Sequence, residues 1–189
     1  MTTLQFRLQA MMVMATMVLF VAMLAINEWL FTRFEFAPGI NWIYLPAGVR
    51  LLSTLLFAEA GAVGLLLVSW IVCFFYFFPD DVGRSFAGGI LATLAPYLIY
   101  RVAQYKYGLH ASLANLTPKR LLVLSVAYAV ASPLMHHIWF ALQGQKDIMQ
   151  GFVTMFVGDL TGTLLVIYAV KAATSLLSPS LFGAQRKAD

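Results

Sequence analysis

The stretch Leu45-Pro46-Ala47-Gly48-Val49-Arg50-Leu51-Leu52-Ser53-Thr54-Leu55-Leu56-Phe57 sets an arginine in the middle of a run apolar enough to cross a bilayer. A second stretch, Phe156-Val157-Gly158-Asp159-Leu160-Thr161-Gly162, does the same with an aspartate. A charge at the bilayer centre costs about 2.5–3.5 kcal/mol on insertion scales. Neither a mid-depth guanidinium nor a short carboxylate reaches the interface easily, so each needs a partner inside the protein.

The surrounding composition sets the class. Apolar residues make up 61% of the 189 and charged residues only 11%, with a mean hydropathy of +0.83, against about 25% charged in an average soluble domain. The expected fold is an all-α, polytopic membrane helical bundle. Residues 1–178 form one integral-membrane module and residues 179–189 a short basic tail, which leaves no room for a separate catalytic domain. The net charge of +4 comes from Lys and Arg at the ends of apolar runs rather than on a groove with interleaved aromatics, so it speaks for membrane topology and against nucleic acid. The single cysteine, Cys73, lies in an apolar run and reads as buried filler. The first apolar run is too long for a signal-peptide core, and Ala22-Met23-Leu24-Ala25 is a poor cleavage site, so an uncleaved first helix is expected.

A helix needs about 17–25 apolar residues to cross about 30 Å of hydrocarbon. Six candidate spans meet this: 9–31, 41–58, 60–79, 84–105, 119–142 and 149–175. The second and third are separated only by Phe57-Ala58-Glu59-Ala60-Gly61 and read as a tight helical hairpin. Ala37-Pro38-Gly39, Pro79-Asp80-Asp81, Asn115-Leu116-Thr117-Pro118 and Gln143-Gly144-Gln145 read as turns. Eight cations fall on one side of this arrangement: Arg7, Arg101, Lys106, Lys119, Arg120, Lys171, Arg186 and Lys187. Three fall on the other: Arg33, Arg84 and Lys146. The positive-inside rule then puts both termini in the cytoplasm of a bacterial inner membrane, with Trp29, Trp42 and Trp139 at the outer interface.

On this topology Arg50 lies nine residues below Asn41, and Asp159 ten residues below Met149. These are depths of about 13 and 15 Å at the helical rise. The two ions are therefore expected to meet, either as a structural pair or as the floor of a polar pocket in the outer half. Glu28, His136, His137, Trp42 and Tyr44 fall in the same half, and polar and aromatic groups in an apolar bundle are the usual make-up of a small-molecule site. Adjacent histidines on a helix point about 100° apart, so at most one faces a common cavity. No His-x-x-x-His or Glu-x-x-His spacing indicates a metal, no cofactor motif occurs, and no phosphate loop or nucleophile elbow indicates an enzyme. Pro46, Pro96 and Pro133 are expected to kink three spans.

Leu45-Pro46-Ala47-Gly48-Val49, with Leu55-Leu56-Phe57 after it, resembles the Pro-Ala-Gly helix of bacterial membrane-associated sensor domains of the MASE type. Gly158-Asp159-Leu160-Thr161-Gly162-Thr163-Leu164-Leu165-Val166 is similar to the Gly-Asp-x-x-Gly-x-Leu-x-Val element near the end of that domain. That family usually has about eight spans, and Arg50 stands where it has a small apolar residue. The resemblance implies a non-enzymatic, stand-alone sensor that binds an unknown small solute. It would signal to a separate protein through the 106–118 loop or the tail. A weaker resemblance, to the substrate-binding component of energy-coupling-factor vitamin transporters, implies instead a solute-capture subunit docking a transporter partner through the small-residue faces around Gly61 and Gly64. A structural subunit of a larger membrane complex is a third possibility.

Overall fold

The computed structural model describes residues 2–109, 116–146 and 148–185, with side chains up to 176. Helix α1 (Thr3–Phe31) opens on a capping box in which Thr2 and Gln5 satisfy each other's backbone N–H groups. A short 3-10 turn leads into an antiparallel hairpin, β1 (Glu35–Ala37) and β2 (Ile40–Asn41), turned by Gly39 at φ 79°. Helix α2 (Pro46–Val72) runs on into a π-helical turn, Cys73–Phe77. Helices α3 (Val82–Tyr107), α4 (Pro118–Leu142) and α5 (Ile148–Gln185) complete the bundle. Asp81 caps α3 and Thr117 caps α4 by accepting from the third backbone N–H of each helix, and Gly108 closes α3 in the left-handed conformation. All five helices are long and apolar enough to cross a membrane.

The protein is apolar on its outer surface, while several polar groups are buried within its apolar core. Met11, Met14, Val18 and Val21 of α1, Ile90, Leu94 and Leu98 of α3, and Val126, Val130 and Leu134 of α4 all face outward. Arg50, Asp159, Asn27, Ser69 and Thr163 are buried. Only a surrounding lipid phase makes this distribution favourable, because in water it would leave a continuous apolar belt exposed.

Three sequence expectations change. The all-helical reading misses the β1–β2 hairpin, because strands of two or three residues carry no periodicity. The second span does not begin as a helix at Asn41: residues 41–45 are non-helical, and Pro46 starts α2 rather than kinking it. A proline fits the first helical turn, where its missing N–H is not needed. Pro96 and Pro133 do lie inside their helices. Finally, α5 stays helical to Gln185, beyond the boundary drawn at 178, while 186–189 lie outside the described residues.

The hairpin expected at 57–61 corresponds to a break within α2. Ala58 has φ 52° and ψ −126°, the one positive φ outside glycine among the described residues. In a straight helix Ser53 and Gly61 would be about 12 Å apart, yet a Cβ on Gly61 would overlap the Ser53 carbonyl oxygen. The arms 46–57 and 59–72 therefore fold back against each other. The Glu59 side chain at the tip reaches Arg101 of α3 at 3.9 Å.

Residues 41–45 lie against α5. The N–H of Tyr44 donates to the Gly158 carbonyl at 3.1 Å, and that of Leu45 to Asn27 Oδ1 at 2.8 Å. The Thr161 hydroxyl donates to the Trp42 carbonyl at 3.2 Å. This approach requires two glycines, since a Cβ on Gly158 would overlap the Asn41 carbonyl oxygen and one on Gly162 that of Tyr44. Gly162→Val is expected to destabilise the bundle by about 1–3 kcal/mol or more through overpacking, seen as lost monodisperse yield and a lower melting temperature in detergent. Gly83→Ala, where the new methyl would meet only an Asp81 oxygen at 3.6 Å, is expected to leave both unchanged.

Candidate functional site

Arg50 sits on the first arm of α2, one turn after Pro46, and only 7% of it is exposed. Its guanidinium carbon lies 5.3 Å from the centroid of Phe20 on α1 and 5.2 Å from that of Tyr44. Two aromatic faces thus supply part of the electrostatic stabilisation that water would otherwise give. Nη2 donates to the Tyr44 hydroxyl at a long 3.4 Å, and Nε has no hydrogen-bond partner among the described residues.

Asp159 is 1% exposed on α5, where its Oδ2 has no hydrogen-bond partner among the described residues. The expected ion pair is not formed. Among the described residues, the one ion pair within 4.0 Å is the exposed Arg101–Glu59. Arg50 turns toward α1 and Tyr44, while Asp159 interacts with Ser132 on α4. The two charges still feel each other through the interior, and Tyr44 and Tyr128 interact with both. Sequence spacing carries no information on the direction in which each helix turns its charge.

A cavity of about 50 Å³ lies beneath the β1–β2 hairpin. One water occupies about 10–15 Å³ on this measure, so there is room for a few waters or a small solute. Its polar lining includes Arg50, Tyr44, Ser69, Arg84 and His136, and its apolar lining includes Phe20, Ile40, Val72, Phe140 and Met155. The His136 Nδ1 lies 2.8 Å from the Ser132 carbonyl, which can only accept, so Nδ1 carries the proton and Nε2 is left for other contacts.

Of the residues singled out in the sequence, Arg50, Tyr44 and His136 line this cavity, whereas Asp159, Glu28, His137 and Trp42 do not. His137 bonds the Pro133 carbonyl at 2.8 Å and packs its ring against Phe140 and Phe152. Glu28 interacts with Tyr76 of the π-helical turn. Trp42 is 39% exposed on the bundle surface.

The residue that sequence reasoning missed is Arg84. Counted there as an interfacial cation, it instead folds its guanidinium 4.0 Å over Phe78 and 5.5 Å from Phe140, on the cavity lining, with Nε unpartnered among the described residues. The Phe77-Phe78 pair was the available signal, an aromatic seat a few residues before a charge. Fold and site together define a helical integral-membrane protein with an internal cavity that carries two guanidinium groups. The chain matches no family model, and no curated protein or solved structure is significantly similar to it.

The interior charges yield a double-mutant test. Asp159→Asn and Arg50→Gln should each lower stability in detergent. Their combination should fall short of the sum by about 0.5–3 kcal/mol, as interacting sites do. Strict additivity in reversible unfolding would show that the two charges do not interact.

Proposed function

We propose that this protein is a small-solute binding module of the bacterial inner membrane, crossing it six times with both termini in the cytoplasm, and that it acts as a sensor toward a separate signalling protein. The observation that carries this reading is the cavity itself: a space of about 50 Å³ inside an apolar bundle, lined by a buried guanidinium with an unpartnered nitrogen. A cation kept in such a place serves binding more readily than stability, since a well-packed apolar residue would cost less.

The reversal at Ala58 supports six crossings. Arg101, which meets the tip residue Glu59, lies 19 residues into α3 from Val82. That is about 28 Å along the helix, close to the roughly 30 Å thickness of the hydrocarbon. On this reading the tip would lie at the interface opposite the β1–β2 hairpin, on the side to which Arg7, Lys106 and Lys119 are assigned. In support of the sensor reading, the two stretches that resemble sensor-domain elements touch each other: Gly48 packs on Val166, and the Leu45 backbone on Gly162. The transporter-subunit reading is weakened, because Gly61 packs against Ser53 of its own helix and Gly64 against Thr16 and Val13 of α1, leaving neither free to dock a partner.

In a Cys73→Ser background, Glu59→Cys should react with an impermeant thiol reagent only from the cytoplasmic side, and Gly144→Cys only from the opposite side. Reaction of both from one side would refute six crossings. For binding, a screen of small solutes should find one that raises the melting temperature saturably. Ala92→Met, which fills the cavity from a buried lining position, should abolish that response while the protein remains folded. A response that survives the filled cavity would place the ligand elsewhere.

A further inference from the structure

We infer that the ligand of this cavity is a small soluble oxyanion, a molecule of a few heavy atoms bearing a carboxylate or phosphate group, with Arg50 as its main partner and Arg84 as a second cation. This deepens the solute-binding reading and rests on it. Three residues of the lining each hold a covered polar atom without a hydrogen-bond partner among the described residues: Arg50 at Nε, Arg84 at Nε and Ser69 at its hydroxyl. Two of the three are guanidinium cations, so the complement the lining favours is an acceptor with negative charge. A guanidinium meets a carboxylate or phosphate through two parallel hydrogen bonds, which neither a neutral amide nor a halide reproduces.

No carboxylate appears on the described lining to meet this requirement from within. Asp159 interacts with Arg50 but lies outside the lining, and Asp81 beside Arg84 has its Oδ1 engaged by the Arg84 backbone N–H at 2.8 Å. The surrounding walls, Phe20, Val72 and Phe140 among them, are apolar and so strengthen any charge-assisted bond made there. With Nδ1 donating to the Ser132 carbonyl, a neutral His136 ring presents Nε2 as an acceptor, which favours an anion that also carries a hydroxyl. A volume of about 50 Å³ suits such a molecule and not a diacyl lipid.

The test uses the full chain in an uncharged maltoside detergent at fixed ionic strength, with thermal unfolding followed against sodium acetate, sodium lactate and sodium phosphate. Acetamide and lactamide serve as neutral matches. At least one anion should protect saturably, its amide at least about tenfold more weakly, as expected for the loss of a charge-assisted hydrogen bond. Arg84→Gln should weaken that protection about tenfold, and Arg50→Gln should abolish it. If Arg50→Gln does not fold, Arg84→Gln and Arg50→Lys decide, since Lys keeps the charge but loses the planar fork. Equal protection by the amides would overturn the anionic ligand and leave solute binding standing, whereas protection by no probe would overturn both. Unchanged anion affinity in Arg84→Gln and Arg50→Lys, or protection by phosphatidylglycerol without any from the soluble anions, would also overturn this inference.

Discussion

The structure depends on a short piece of non-helical backbone lodged inside a helical bundle. Within lipid, every buried N–H and C=O must find a partner in the protein, and non-helical chain is tolerated only where other segments supply those partners. Residues 41–45 find theirs in Asn27, the Gly158 carbonyl and the Thr161 hydroxyl, on α1 and α5. The contact fixes where α2 starts, and through Pro46 it sets Arg50 one turn further in, facing Phe20 and Tyr44. Gly158 and Gly162, which in sequence suggest helix-on-helix packing, instead make room for this segment.

Much of this was legible in the sequence because lipid simplifies the code. Each apolar run from 84 onward matches a helix to within a few residues at its start, and the turn residues Gly39 and Gly144 occupy the positive-φ positions their neighbours imply. The reversal near Ala58 was readable from the small residues and Glu59 that interrupt the apolar run. What could not be read was azimuth. Hydropathy gives depth along a helix, but a helix apolar on all sides says little about which neighbour a given side chain faces. Arg50 and Asp159 are both buried, as their place in apolar runs implies, yet the direct ion pair expected between them is not formed. Arg84 was misread for the same reason: its position at the end of a span fits a solvated cation equally well.

The separation of the two interior charges matters for the site. Had Asp159 closed on Arg50, the guanidinium would have been saturated and the cavity left with little to offer a ligand. Aromatic faces, with the aspartate held further away, stabilise the cation while its Nε keeps no partner among the described residues. A buried charge can then be retained and remain available at the same time.

The reversal at Ala58 also constrains how the chain reaches its place in the bilayer. The first arm, residues 46–57, spans about 18 Å as a helix and carries Arg50, so it is both shorter and more polar than a segment that lipid retains alone, which needs about 17–25 apolar residues. Residues 59–77, at 19 residues, are longer than the first arm and carry Glu59 at their start as their one charge. On the proposed six-crossing topology, the ribosome would have to deliver both arms before either is committed, and the two would enter as one hairpin whose later half carries the earlier half in.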